Sequence, residues 1–291
     1  MAYMRWVGTK AGGRMAALVA CLCILSSGPM GAAEVEDVAA AFQPHLSVYD
    51  LSLDPASASD DISAVDGRMV VDWRGGQACG GYTVNQRLVT RVIDSGGNSG
   101  TKDLRLSTWE ALDGSRYRFN FTLYEDGSIT DTLSGTAAKE GDKVVVTYDD
   151  PDGEHLDLPG NVLFPMAMTL AIERAARQGQ HLVTAPVFDG TDNRNIYDLT
   201  AVITPSKPAS ADAIDAKISG AEAGAQIKTL EAWPVSLSYF ARGGNADGAP
   251  DFQETYRLFP NGVLSSLRLD DGDFALLGKL REVKYHKRDA C

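Results

Sequence analysis

From Arg116 to Tyr124 the chain alternates with a period of two. Tyr117, Phe119, Phe121 and Leu123 fall on one side, and Arg116, Arg118, Asn120 and Thr122 on the other. Successive side chains of a strand point to opposite faces, so this run has one dry face and one wet face. Asp113-Gly114 precedes it and Asp126-Gly127 follows it. Such dipeptides supply the two positive φ values of a tight hairpin turn, which ties the strand antiparallel to both of its sequence neighbours. Asn261-Gly262 and Asp271-Gly272 repeat the device near the C-terminus.

The same reading predicts strands over His45 to Leu53, Ile62 to Trp73, Tyr82 to Ile93, Asp103 to Ala111, Arg116 to Glu125, Ser128 to Thr136 and Lys143 to Tyr148. A second series covers His181 to Phe188, Ile196 to Ile203, Ile227 to Trp233, Pro234 to Arg242, Phe252 to Phe259, Val263 to Leu269 and Phe274 to His286. Between the two series lie an acidic loop, Asp149 to Gly160, and one long helix. Pro165 suits its first position, Met168, Ala171, Ile172 and Ala175 form its apolar stripe, Arg174 and Arg177 occupy its last turn, and Gly179 can end it. Val35 to Phe42 reads as a short helix that plugs an end, with Pro44 stopping it. Pro205 to Gln226, rich in Ala, Ser, Asp and Gly, reads as a surface insertion or mobile loop, or in its Ala-rich middle as a marginal helix.

The fold class is therefore mostly β. A dozen or more antiparallel strands in one sheet must curl, close into a barrel or split into layers. A wide curl is not filled by its own side chains alone, so an apolar groove or cavity is expected, with the stripe of the central helix docked near it.

The N-terminus decides the compartment. Arg5, Lys10 and Arg14 precede the apolar run Met15 to Leu25, and Gly31-Ala32-Ala33 offers the small residues of a cleavage site. Residues 1–33 read as a secretory signal peptide and residues 34–291 as one mature domain beginning at Glu34. The competing reading is a lipidated Cys21 after Leu18-Val19-Ala20. Without the leader, the 27 basic residues become 24 against 39 acidic ones, a net charge of −15. Such a surface repels nucleic acid and anionic headgroups. Cys21 and Cys23 leave with the leader. In an exported chain, Cys79 and Cys291 read as one disulfide rather than a metal site, with two free thiols as the alternative.

The sequence carries little chemistry. His45, His155, His181 and His286 are scattered without metal-ligand spacing, and no nucleophile elbow, phosphate loop or dinucleotide fingerprint is present. Asp149-Asp150-Pro151-Asp152-Gly153-Glu154 lacks EF-hand spacing and reads as a solvated acidic turn. No catalytic, cofactor-binding or metal residue is assigned, and the chain reads as a non-enzyme. Glu110 is the carboxylate expected to have a buried partner, with Arg68, Arg87 and Arg91 as candidates. Trp73, Trp109, Phe119, Phe121, Trp233 and Tyr239 are core candidates.

Several runs carry a resemblance: Val48-Tyr49-Asp50-Leu51, Gly67-Arg68-Met69-Val70, Cys79-Gly80-Gly81-Tyr82-Thr83-Val84-Asn85, Val89-Thr90-Arg91, Ser107-Thr108-Trp109-Glu110 and the terminal Cys291. Together they resemble the EipB cell-envelope-integrity family of Gram-negative periplasmic proteins, across essentially the whole mature chain. The resemblance implies a β-spiral, a long antiparallel sheet wound like an incompletely closed barrel, with a Cys79 to Cys291 disulfide. It also implies a non-enzymatic role in the envelope beside a periplasmic tetratricopeptide-repeat protein, and no cofactor. The alternative function is a carrier that holds a lipid or lipoprotein acyl chain inside the curl. Tyr117, Phe119 and Phe121 could either fill that interior or line it.

Overall fold

The structure is a computed structural model and describes residues 41–57, 61–149, 153–192, 196–208, 216–220, 227–228, 230–242 and 248–287. The expected leader, most of the helix Val35 to Phe42 and Cys291 lie outside the described residues. The first eight strands are β1 (His45–Leu53), β2 (Ile62–Gly76), β3 (Gly81–Asp94), β4 (Ser99–Ala111), β5 (Arg116–Glu125), β6 (Ser128–Glu140), β7 (Lys143–Tyr148) and β8 (His155–Pro159). Helix α1 (Pro165–Arg177) follows. The chain then forms β9 (Leu182–Val187), β10 (Tyr197–Ile203), β11 (Lys207–Pro208), β12 (Lys217–Gly220), β13 (Glu231–Ala241), β14 (Phe252–Leu258), β15 (Leu264–Asp270) and β16 (Ala275–Tyr285).

One antiparallel sheet runs in the order β8-β7-β6-β5-β4-β3-β2-β1-β16-β15-β14-β13-β10-β9. β11 adds to β13, and β12 adds to β16 in parallel. The first and last strands of the chain are thus neighbours in mid-sheet, and α1 carries the chain from one end of the sheet to the other. Those ends meet without a full ladder. Among the described residues the backbone segment after β8 reaches across, where Leu163 bridges Val187 through Leu163 N to Pro186 O at 2.8 Å and Phe188 N to Leu163 O at 3.1 Å. The sheet is mostly β, curled and unclosed, as the sequence leads one to expect.

Local chemistry explains the elements. Asp126 and Gly127 take φ of 49° and 83°, the paired positive values that the β5–β6 hairpin needs. Pro165 opens α1, and Gly179, at φ 69°, ends it. There Gly179 N reaches Ala176 O and Gln180 N reaches Ala175 O, the two reversed bonds of a Schellman cap. Of the expected stripe, Met168, Ile172 and Ala175 are buried and Ala171 is half-buried. Leu170 and Ala176 are buried as well, so the helix is a plug covered on most sides rather than a surface helix.

The interior holds two apolar clusters. The larger joins the inward faces of β1 to β5, β9, β10 and β12 to β16 to α1. The smaller lies at the seam, where Tyr117 stacks on Phe164 at 4.9 Å and Phe119 meets Phe188 edge-on at 5.5 Å. Phe42 seals the opposite region against Trp73 and Tyr82, over Gly262 at φ 84°. A Cβ at Gly262 would meet that ring, so the Asn261-Gly262 turn needs glycine for packing as well as for φ.

Four expectations are corrected. The acidic segment before α1 contains β8, which pairs with β7 from Thr147↔His155 to Lys143↔Pro159. Ile227 to Trp233 and Pro234 to Arg242 are not two strands: one strand, β13, runs through Pro234. The missing N–H there is tolerated because the β10 ladder starts one residue on, at Val235↔Ile203. Within the expected loop Pro205 to Gln226, residues 217–220 form β12. Trp233 is only partly buried at the edge of the core, and Trp109 stands on the outer face of β4, not inside.

Candidate functional site

The inner side of the curl is the place where buried chemistry can be sought. On β4 the alternation places Leu104, Leu106, Thr108 and Glu110 inward. Glu110 is 4% exposed, and its carboxylate receives Met166 N on Oε2 at 2.7 Å and Ala167 N on Oε1 at 2.8 Å. It caps the start of α1 from a distant strand, satisfying amides that have no partner inside the helix. This corrects the expected partner. Arg68, Arg87 and Arg91 stand on the opposite face of the sheet and cannot reach it. Burial pushes Glu110 up to about 7, while the two amide donors work against that rise.

Among the other buried carboxylates, Asp54, Glu173, Asp189 and Glu254, two glutamates stand out that the sequence pattern alone does not single out. Glu173, in the middle of α1, binds Arg177 at 2.6 Å, and that guanidinium also donates to Pro260 O at 2.6 Å. Glu254 lies on β14 between Phe252 and Tyr256, 2% exposed, with Oε1 lacking a hydrogen-bond partner. Its alternation with Phe252, Tyr256 and Leu258 is the signal that places it on the dry face. Burial pushes both Glu173 and Glu254 up to about 7 from the ordinary 4.5.

That shift has a consequence for stability. Between pH 4.5 and pH 7 the folded chain holds protons on these groups that the unfolded chain has released, so stability is highest below that window and falls as pH rises through it. A shift of this size corresponds to roughly 3 kcal/mol per fully buried group. Glu254→Gln is therefore expected to raise stability at pH 8 by about 1–3 kcal/mol, leave it near the parent at pH 4.5, and flatten the slope between. Urea unfolding at the two pH values measures this. Equal gains at both would assign the effect to something other than the charge of Glu254.

The histidines do not converge. His45 is buried, with Nδ1 at 2.7 Å from Gln43 O, and burial lowers its pKa to about 4. His155 meets Thr147 on the outer face, His181 meets Ile203 O, and His286 pairs with Asp72 at 2.6 Å. Among the described residues no set of three or more His, Cys, Asp and Glu gathers as a metal site. No helix among them is long and apolar enough to cross a membrane. Cys79 sits in a short 3-10 turn, Gln77–Cys79, between β2 and β3, and is disulfide-bonded to a partner outside the described residues. Tyr117, Phe119 and Phe121 are 2%, 1% and 6% exposed, so they fill the interior where they stand.

A curled, unclosed antiparallel sheet plugged by one helix defines a β-barrel-like protein. The chain matches the EipB-like family over residues 36–287 and belongs to that family. It is 32% identical over 237 residues to the cell envelope integrity protein EipB of Brucella abortus (strain 2308), covering 81% of this chain and 82% of that protein. The crystal structure of a beta-barrel-like protein of the domain of unknown function DUF1849, also from Brucella abortus, aligns with a TM-score of 0.77 at 30% identity. The alignment covers 84% of this chain and 99% of that one. The resemblance read from the sequence is borne out.

Proposed function

We propose that this chain is a non-enzymatic periplasmic protein that maintains cell-envelope integrity through a protein partner. The observation that carries the reading is membership of the EipB-like family, together with identity along most of its length to a protein named for envelope integrity. Residues 1–33 are the export signal, Glu34 begins the mature domain, and Cys79 pairs with Cys291 in the oxidising compartment. The partner is of the tetratricopeptide-repeat type, and the protein stays peripheral to the membrane. The packed Tyr117, Phe119 and Phe121 favour this reading over the lipid or lipoprotein carrier.

Deleting the gene is expected to sensitise cells to detergents and cell-wall antibiotics. The full chain should restore resistance, and the chain lacking residues 1–33 should not. Unchanged sensitivity after deletion would overturn the reading. A stoichiometric lipid in the mass spectrum of the purified protein would move it to the carrier.

A further inference from the structure

The outer face of β2 to β5 carries charge of the opposite sign to the chain as a whole. The whole sequence has 27 Lys and Arg against 39 Asp and Glu. Yet Arg68, Arg74, Arg87 and Arg91 on β2 and β3 point outward, and Arg105 and Arg118 continue the set on β4 and β5. Asp66, Asp72 and Asp103 are the acidic residues among them. Lys102, the one lysine between Ile62 and Glu125, stands at the rim with Glu125 instead.

Strand register arranges these residues in rows across the sheet. A central row of small polar side chains runs Asp72, Asn85, Ser107, Asn120 and Ser134 from β2 to β6. On one side of it, Arg87 stands directly opposite Arg105. Directly opposed like charges destabilise a sheet. Both guanidiniums hold the single carboxylate of Asp103, at 2.8 Å and 2.7 Å, which leaves a cation in excess. Arg105 also lies 4.4 Å from the centroid of the Tyr124 ring. On the other side, Trp109 stands opposite Arg118. Two recesses of about 360 Å³ each occupy the ground between and share Ser107 and Asn120; Arg87 and Arg105 line one with Asp72, which pairs with Arg74, and Arg118 lines the other with Asp149. The result is a trough across the strands, roughly 19 Å long over four strand spacings and about 13 Å between its walls.

We propose that this trough docks an acidic polypeptide segment of the partner protein. The inference rests on the reading above that the protein acts through a protein partner. Charge complementarity selects carboxylates, and arginine pairs with them in a fixed fork. The absence of lysine from the face, with Trp109 and Tyr124 at its walls, is the composition of a protein interface rather than of a lysine-rich lipid patch. Asn85, Ser107 and Asn120 give the floor both donors and acceptors for a backbone.

The test uses the mature protein and a short fluorescein-labelled Glu-rich peptide, with its Lys-rich counterpart as control. Anisotropy at low salt is expected to show binding of the acidic peptide alone, weakening as salt is added. Arg105→Glu with Arg118→Glu should weaken it roughly tenfold or more, at unchanged melting temperature, while Arg242→Glu on the other half leaves it as it was. Equal binding of both peptides, or an undiminished double variant, would overturn the proposal, as would phosphatidylglycerol vesicles competing as well as the acidic peptide. In cells, a double variant that fully restores resistance refutes the trough and leaves the envelope role standing. A deletion without phenotype instead refutes the envelope role, whatever the peptide does.

Discussion

Glu110→Ala is expected to lower the melting temperature by roughly 6–12 °C, from a loss of about 3 kcal/mol. The carboxylate is buried and takes two amides at the start of α1. Its removal leaves those donors without a partner in a region water does not reach, and opens a void between β4 and the helix. An ordinary N-cap contributes about 1 kcal/mol. This one exceeds that because it also pins the plug to the wall of the curl. Glu110→Gln keeps one acceptor oxygen and should lose about half as much. Calorimetry on the three proteins decides the matter, and a Glu110→Ala curve that overlays the parent would mean the cap holds nothing.

Cys79→Ser should cost on the order of 3–5 kcal/mol, the range for a cross-link that closes a loop of this length, with measured values often at the lower end. A pairing with Cys291 would close a loop from β3 to the C-terminus, so the unfolded state would gain much of its freedom when the bond is gone. Peptide mapping without reductant should recover the Cys79 and Cys291 peptides joined, and dithiothreitol should bring the parent down to the variant. Two free thiols, or equal midpoints for oxidised and reduced parent, would remove the bond from the account.

Much of the fold was legible where the signal was local. β1, β5 and β7 begin and end where alternation and turn dipeptides place them. What escaped was set by partners far along the chain. His155–Pro159 is short and lies among acidic and turn residues, and only the ladder to β7 makes it a strand. Residues 217–220 are held by a parallel pairing with β16 that no local pattern announces. Pro234 reads as a break until the register shows that its nitrogen is not needed. Glu110 was visible as a residue of interest, but its partner was misread. Strand parity already put it on the face away from Arg68, Arg87 and Arg91, and the true donors are backbone amides, which leave no mark in a sequence. The outer arginines were legible singly, whereas the rows they form depend on register across four pairings.

The pairing of β1 with β16, from His45↔Tyr285 to Leu53↔Leu276, sets an order on the life of each new molecule. A strand that needs the last part of the chain as its second neighbour waits as a bare edge until that part has emerged. During that interval β1 to β8 can assemble from the leading half, each strand against the one before it, but β1 keeps one row of amides and carbonyls open. The finished sheet forms only when the trailing strands arrive in reverse order and close on it. A chain that stops before Ala275 would therefore leave β1 to β8 with an adhesive border. Chaperones and proteases would meet that border before the sheet could be completed.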